Sequence, residues 1–382
     1  MDDTSEIMSK PKLKRIFVLL VSSGAGGVEK RFANLLQYLS ENPDPEISMD
    51  FYVNLSLAKQ IPSFYQVTQN DNLRFEYFGF PFEPSKNRRL AILSKRVDQI
   101  YLFFLLFFKR VFVSYDAAHF INLSALRYHF LVRTHKKIWS CFDSENPEAY
   151  LPSQSLELRR LYNQLSHIDC LDENIAKVVK TESTDFDIKV TSSPCSFIDY
   201  RHTEIQSKEM LLTFSGYFRA YKGVHLIIEA LKKCMETCTE LKVQFLGKGD
   251  LEGVIRYELA SFVQSGRVEI GYTKNPIEKL KKSLIFVSLQ QKENYPSQSL
   301  LEAMACGNAI VATNVGLTNL LVNESTGILI DYDVEQLSAA IVKLYRHKTL
   351  ATHLGENGRQ LVMESHNVKR FWDYLRTIYL AD

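Results

Sequence analysis

The chain has 382 residues and a net charge of +2, a near balance that argues against nucleic-acid binding as its main activity. Hydrophobic residues make up 46% and charged residues 24%, values typical of a water-soluble protein with sizeable cores, and the length predicts two domains. Residues 1–14 are polar, so no signal peptide is expected. The six cysteines are scattered, which fits reduced thiols. Cys234 and Cys238 lack the second ligand pair of a zinc site, so no metal is expected.

The first half of the chain alternates apolar runs with amphipathic stretches. Residues 13–21 read as a buried strand, 22–27 as a glycine turn and 28–40 as a helix. Further elements are predicted as strands at 49–55, 74–78, 117–121, 137–140 and 168–171, as helices at 88–110 and 155–167, and as a closing connection at 190–200. This order indicates a first α/β domain.

The glycine turn carries Gly24, Gly26 and Gly27 and resembles part of a dinucleotide fingerprint. Glu29 stands where the third glycine should be, and no acidic residue ends the next predicted strand. NAD binding is therefore disfavoured. The small residues allow either the close approach of a ligand to the backbone or a tight turn.

Residues 100–108 are nine consecutive apolar residues, too few to cross a bilayer. Basic residues precede them, at Lys86, Arg88, Arg89, Lys95 and Arg96. The segment is either a buried core helix or an interfacial helix on anionic lipid, and neither interpretation makes a transmembrane protein.

The second half alternates strands and helices more regularly. Strands are predicted at 210–216, 242–246, 268–271, 284–289, 309–313 and 327–330, and helices at 223–236, 251–264, 276–282, 298–305 and 334–346. A linker falls near 200–209. Such alternation predicts a doubly wound parallel sheet. A last helix, 367–380, carries aromatic residues that could pack on the first domain.

The most informative stretch runs from Glu293 to Gly307. It places Glu293 and Glu302 around a turn that leads from a predicted strand into a helix, where ligands of α/β sheets gather and a diphosphate is favoured. A simple helix cap, with Ser297 or Ser299 as the capping residue, explains the same residues.

Two further turns follow strands of the same predicted sheet. Residues 216–223 carry Arg219 and Lys222 between glycines, and 246–250 form a glycine-rich turn around Lys248. The first is either a diphosphate site or a solvated basic turn. Because the carboxyl ends of parallel strands meet at one edge, the three turns are expected to converge on one ligand.

The second half of the chain resembles the C-terminal half of the retaining, nucleotide-sugar-dependent glycosyltransferases of family 4. The resemblance is carried by residues 216–223, 245–249, 293–307, 312–316 and Gly327. The likeness covers nearly all of residues 210–346, and Gly26 to Lys30 resembles the glycine loop of that family. The resemblance implies the GT-B fold, an α/β architecture of two Rossmann-like domains facing across a cleft. The boundaries expected are an acceptor-binding domain at 1–205, a donor-binding domain at 206–365 and a C-terminal helix at 366–382 that crosses back to the first domain.

The resemblance also implies roles for individual residues. Glu302 would hold the ribose, Arg219 and Lys222 would bind the donor phosphates, and Glu293 would contact the transferred sugar. The donor-binding residues implied are Gly216, Arg219, Lys222, Gly247, Lys248, Tyr295, Pro296, Ser297, Gln298, Ser299 and Glu302. The catalytic candidates are Glu293, Asn294, Asp143 and His119, and Gly26 and Gly27 form the glycine loop of the acceptor side. His119 is also a candidate for a purely structural role.

The chain departs from the family pattern at several points. Eight residues separate Glu293 from Glu302 where the family has seven, so either the turn bulges by one residue or Asn294 takes the first position. Tyr217 replaces the arginine expected after Gly216. The resulting expectation is a cytoplasmic glycosyltransferase, working without metal or cofactor on a glycan or lipid-linked acceptor in surface polysaccharide synthesis, with peripheral contact to an anionic membrane. The alternative is a catalytically silent relative that binds a partner.

Overall fold

The computed structural model describes residues 13–22, 24, 26–79, 88–141, 147–194, 206–273, 275–293 and 295–381. The chain divides into two compact units, residues 1–193 with 372–382 and residues 194–371. Each unit is built on one parallel sheet, which confirms the predicted class of two Rossmann-like α/β domains.

The sheet of the first unit has seven described strands in the order β3-β2-β1-β4-β5-β6-β7. They are β1 Lys14–Leu20, β2 Ile47–Asn54, β3 Leu73–Phe78, β4 Ala117–Ile121, β5 Lys136–Cys141, β6 His167–Cys170 and β7 Lys189–Ser192. The described α-helices are α1 Gly27–Glu41, α2 Leu55–Ala58, α3 Arg88–Phe112, α4 Leu123–Leu126, α5 Leu156–Tyr162 and α6 Glu173–Glu182. Residues 16–20 of β1 are fully buried, because a central parallel strand is covered on both faces.

The sheet of the second unit has six described strands in the order β10-β9-β8-β11-β12-β13. They are β8 Glu209–Ser215, β9 Lys242–Leu246, β10 Val268–Gly271, β11 Ser283–Ser288, β12 Ala309–Thr313 and β13 Gly327–Ile330. The described α-helices are α7 Val224–Cys234, α8 Glu252–Glu258, α9 Ala260–Gln264, α10 Ile277–Leu280, α11 Gln298–Ala305, α12 Val334–Arg346 and α13 Lys348–Ser365. All pairings in this sheet are parallel.

Two helix predictions need correction, and one helix was not predicted. The helix predicted at 251–264 is two short helices, α8 and α9, and the helix predicted at 155–167 ends at Tyr162, so that His167 begins β6. The pattern of the sequence did not reveal α13. Gly355 and Gly358 weaken its helical signal, but the first of them serves packing, since a Cβ at Gly355 would lie 2.3 Å from the carbonyl oxygen of Gly307.

The last helix, α14 (Val368–Leu380), packs its second part on the first unit. Asp44 accepts hydrogen bonds from the indole of Trp372 (3.2 Å) and from Nε of Arg376 (2.9 Å). Trp372 and Tyr379 are buried, so the aromatic face of the helix supplies core contacts. None of the helices in the described ranges is long and apolar enough to cross a membrane.

Candidate active site

The strand order of the second unit creates a switch point between β8 and β11. From β8 the chain continues to β9 on one side, whereas β11 and β12 lie on the other. The turns that leave β8 and β11 therefore diverge at this point, which is where open α/β sheets bind ligands. The stretch 216–223 singled out in the sequence is the first of these turns, and the stretch 293–307 begins in the second.

The turn after β8 is held against the end of β11. Gly223 has φ +79° and opens α7, and a Cβ there would lie 2.2 Å from the carbonyl oxygen of Leu289. The amide of Gln291 donates to the carbonyl of Tyr221 (3.0 Å). The ammonium of Lys222 then donates to Oε1 of Gln290 at 2.9 Å, so this cation lies directly over the switch point.

The turn after β9 packs on the turn after β8. A Cβ at Gly247 would lie 1.9 Å from the carbonyl oxygen of Gly216, so only glycine permits this contact. Two exposed cations stand on these turns beside tyrosine rings. Arg219 lies 5.6 Å from the ring of Tyr217 and Lys248 lies 4.9 Å from the ring of Tyr272. Rings at this distance orient a cation without neutralising it.

The loop after β11 continues this polar line to the start of α11. The side-chain Nε2 of Gln290 donates to the hydroxyl of Ser297 (3.5 Å), which in turn lies 3.3 Å from the hydroxyl of Ser299. Ser297 occupies the N-cap position, but its side chain makes no capping bond, so the simple capping explanation does not account for this hydroxyl. Oε1 of Gln298 is buried and has no hydrogen-bond partner among the described residues. The first turn of α11 thus offers amides and a buried side-chain acceptor.

The two glutamates of the sequence motif lie in different surroundings. Oε1 of Glu293 accepts the amide of Leu317 at 2.9 Å. Gly316 has φ +55°, and a Cβ there would lie 2.4 Å from the carboxyl carbon of Glu293, so the glycine makes room for this carboxylate. Glu302 lies within α11 and is only 7% exposed. Asn294, the alternative first residue of the motif, lies outside the described residues.

A small pocket opens between the start of α11 and the turn after β12. Its lining residues are Ser288, Gln290, Lys292, Tyr295, Ser297, Leu300, Thr313, Thr318 and Leu321. The hydroxyl of Thr313 donates to the carbonyl of Gln290 (2.6 Å), which ties β12 to the loop after β11. Tyr295 and Pro296 are half-buried and joined by a cis peptide bond.

The candidates of the first unit have other environments. The amide of Gly26, at the start of α1, donates to the carboxylate of Glu29 (2.9 Å), so Glu29 completes a cap where a dinucleotide fingerprint would have glycine. Gly27 is the first residue of α1. Asp143 lies outside the described residues.

His119 does not fit a catalytic role. It is completely buried in β4, and both ring nitrogens have partners, the hydroxyls of Tyr379 (2.7 Å) and Ser140 (2.6 Å). Burial lowers its pKa to about 3, and the nearby His167 adds to the effect, so the ring is neutral. Of the two roles that the sequence left open for His119, this environment favours the structural one.

His119 belongs to a hydrogen-bonded chain that ends on Asp169. The hydroxyls of Ser140 and Tyr374 both donate to this carboxylate, each at 2.7 Å. Ser140 then accepts from Nε2 of His119, and Nδ1 accepts from Tyr379, which fixes the neutral tautomer. Burial raises the pKa of Asp169 to about 6, and these hydrogen bonds offset part of that rise. Because Tyr374 and Tyr379 lie on α14, these hydrogen bonds attach this helix to the sheet.

Several residues of the candidate site were not singled out by sequence reasoning. Gln290 and Leu317 are examples, and their only signal was their position, shortly after β11 and β12. Their roles depend on contacts between loops that are distant along the chain.

The chain resembles known proteins in sequence and in fold. Residues 198–361 match the model of the family "Glycosyl transferases group 1". An uncharacterized glycosyltransferase of Methanocaldococcus jannaschii is 25% identical over 389 residues, covering 90% of this chain and 92% of that protein. The N-acetyl-alpha-D-glucosaminyl L-malate synthase of Bacillus anthracis is 28% identical over 182 residues, 46% of each chain.

Among solved structures, Anabaena HepE in complex with UDP and glucose superposes with a TM-score of 0.68 at 15% identity, covering 96% of this chain and 99% of that one. The fold is therefore shared over nearly the whole chain. The likeness to the group 1 glycosyltransferases thus covers residues 198–361, and the likeness of fold extends over nearly the whole chain.

Proposed function

We propose that the protein is a retaining glycosyltransferase that moves a sugar from a nucleoside-diphosphate-sugar to a glycan or lipid-linked acceptor in surface polysaccharide synthesis. The observation that carries the proposal is the convergence at the switch point of β8 and β11. There the cation of Lys222, the first turn of α11 and the carboxylate of Glu293 lie at the carboxyl edge of one sheet. A relative of the same fold binds UDP and glucose, which agrees with such a donor.

The donor diphosphate would lie between the basic turn and the start of α11. Lys222 already reaches across to Gln290, and Arg219 and Lys248 stand on the neighbouring turns. Helix amides and cations both favour a doubly charged diphosphate. Residues 295–299, with Gly216 and Gly247, would shape the backbone around it.

The two glutamates would divide the recognition of the donor. Glu302 would accept from the ribose hydroxyls, as the resemblance implies. Glu293 would accept from hydroxyls of the transferred sugar, while the amide of Leu317 holds its Oε1. The family spacing would instead place Asn294 at this position.

The chemistry proposed is mainly electrostatic. The positive groups at the switch point would stabilise the charge that develops on the leaving diphosphate, while the acceptor hydroxyl attacks from the same face of the sugar. The resemblance implies this retention of configuration. Asp143 and the Gly26–Gly27 loop are proposed on the acceptor side. No cofactor beyond the donor substrate is proposed, and the site of action is the cytoplasmic side of a membrane.

The first test is the melting temperature of the protein with UDP, GDP, ADP, CDP or NAD. A ligand at 100 times its dissociation constant stabilises the native state by about 2.7 kcal/mol. A unit of this size then melts roughly 5–10 °C higher. We expect a shift with one nucleoside diphosphate, which also identifies the base of the donor.

Lys222→Ala tests the site, and Lys242→Ala is its matched control, because Lys242 is an exposed lysine at the opposite, amino end of β9. Loss of a charge-assisted phosphate contact of about 1.5–3 kcal/mol would weaken nucleotide binding roughly ten- to hundredfold in Lys222→Ala only. A shift with NAD alone, or equal weakening in both variants, would contradict the proposal.

Transfer itself is measured as release of the nucleoside diphosphate from its sugar conjugate. Glu302→Gln keeps the size of a side chain that is only 7% exposed. It should weaken binding of the nucleotide, because a ribose acceptor is lost. Wild-type nucleotide binding without turnover on any glycan or lipid-linked acceptor would count against the enzymatic part of the proposal.

A further inference from the structure

Helix α3 of the first unit presents a long apolar face to solvent. The residues that form this exposed face are Ile100, Tyr101, Phe103, Phe104, Phe107, Phe108, Val111 and Phe112, with exposures from 38% for Phe103 to 83% for Phe112. They recur as adjacent pairs every three to four residues, so they follow one side of the helix for its last three turns. With about 200 Å² for each large side chain, the face exposes on the order of 800 Å². That exceeds the largest patch of a typical monomer, roughly 300–600 Å².

The opposite side of α3 holds the helix in this orientation. Leu102 and Leu106 are buried in the core of the first unit. The ammonium of Lys109 pairs with the carboxylate of Glu76 at 2.7 Å and also donates to the hydroxyl of Tyr52. A polar anchor thus faces the protein while five phenylalanines face outward. The sequence left open whether this segment is a core helix, and the structure shows that only one side of it is buried.

The charge of the helix indicates what covers the exposed face. Its 25 residues include six lysines and arginines and one aspartate. Arg96 is exposed one turn before the apolar face begins. Arg110 is exposed beside the face, and its guanidinium donates to the carbonyl of Phe130. Phe130 is itself 49% exposed and extends the face, with its ring centroid 6.5 Å from that of Phe103.

We propose that α3 seats the protein on an anionic lipid surface, with the phenylalanine face inserted among the lipid chains and the cations at the headgroups. A basic helix with an aromatic apolar face is the pattern of an interfacial helix. Pairing with α3 of a second copy would bring two strongly basic helices together, which is electrostatically unfavourable. The proposal goes beyond the glycosyltransferase function and does not depend on the donor site.

The test is flotation of the full-length protein with vesicles of phosphatidylcholine, with or without about 30% phosphatidylglycerol. We expect binding to the anionic vesicles that weakens between roughly 0.1 and 0.5 M salt, because surface charges are screened. In the double variant Phe104→Ser/Phe108→Ser the partition coefficient should fall at least tenfold. Leu156→Ser/Tyr257→Ser is the control, since it removes two side chains that are 75% and 80% exposed elsewhere. Nucleotide-induced stabilisation should persist in both double variants, which separates this proposal from the proposed function.

A conservative probe covers the case in which the double variant folds poorly. Trp139 and Trp372 are only 1% and 5% exposed, so brominated lipids should leave them unquenched. We expect bromolipid quenching of a tryptophan introduced as Phe104→Trp, and none for Leu156→Trp. The proposal would be overturned by equal binding to neutral and anionic vesicles, or by no vesicle binding at all. It would also be overturned if the protein bound no vesicles but formed a dimer, and the Phe104→Ser/Phe108→Ser variant were a monomer.

Discussion

Gly316→Ala tests the contact that positions Glu293. Gly316 has φ +55°, where an alanine costs about 1 kcal/mol or somewhat more. The added Cβ would also lie 2.5 Å from Oε1 of Glu293, so the carboxylate must move and lose the 2.9 Å bond from the amide of Leu317. A charge-assisted hydrogen bond contributes about 1.5 kcal/mol or more. The variant should therefore lose about 3 kcal/mol of unfolding free energy.

Gly266→Ala is the matched control. Gly266 has φ +72°, and a Cβ added there would meet no atom within 4 Å, so this variant bears the backbone cost alone, about 1 kcal/mol. Urea unfolding measures the difference between the two variants. Release of nucleoside diphosphate from the donor sugar measures the consequence for the proposed activity. It should fall at least tenfold in Gly316→Ala, with nucleotide binding little changed, because Glu293 is proposed to contact the sugar. Equal stability loss in the two variants, or full activity in Gly316→Ala, would refute this account of Glu293.

Two further predictions concern side-chain and backbone packing within each unit. His119 has a pKa lowered from 6.5 to about 3 by burial, so the unfolded state takes up a proton first and stability falls as the pH drops below 6.5, by about 2.5 kcal/mol at pH 4.5. Asp169, whose pKa is raised to about 6, gains stability below pH 6 and so opposes this loss. His119→Asn should shift the change in unfolding free energy between pH 8 and pH 4.5 by about 2.5 kcal/mol in the stabilising direction, as measured by urea unfolding. An unchanged pH dependence would contradict the assignment. In α13, Gly355→Ala should destabilise the protein by about 2 kcal/mol or more, since its Cβ would meet the carbonyl of Gly307 at 2.3 Å. Gly358→Ala should be neutral or stabilise the protein by up to about 1 kcal/mol, because the nearest contact of its Cβ would be the methyl carbon of Met304 at 3.5 Å. Thermal melts measure both variants, and an equal change in melting temperature would contradict this packing.

Much of the fold could be predicted from the chain because its signals are local. The apolar runs at 210–216, 284–289 and 309–313 match β8, β11 and β12 within a residue or two. Buried parallel strands are continuous apolar runs, and glycine turns mark their carboxyl ends. The site region followed from the same signals, because strand ends in one parallel sheet meet at one edge.

Local signals were insufficient where packing decides the outcome. The glycines of α13 read as helix breakers, yet the carbonyl of Gly307 requires the first of them. His119 carried a chemically reactive side chain in a strand, and only its neighbours from β5 and α14 show that both nitrogens are occupied. The contact of Glu293 with the turn after β12 could not be predicted either, since Leu317 lies 24 positions further along the chain.

The sequence by itself determined most of the strands and helices, that the two halves are α/β, and where along the chain the turns of the candidate site lie. These properties depend on periodicity and on residues close in sequence. Tertiary structure alone decided which side of α3 faces solvent, which partner holds each carboxylate and why particular glycines are required. Those outcomes depend on atoms that approach within a few ångströms from distant parts of the chain, and no local pattern encodes such distances.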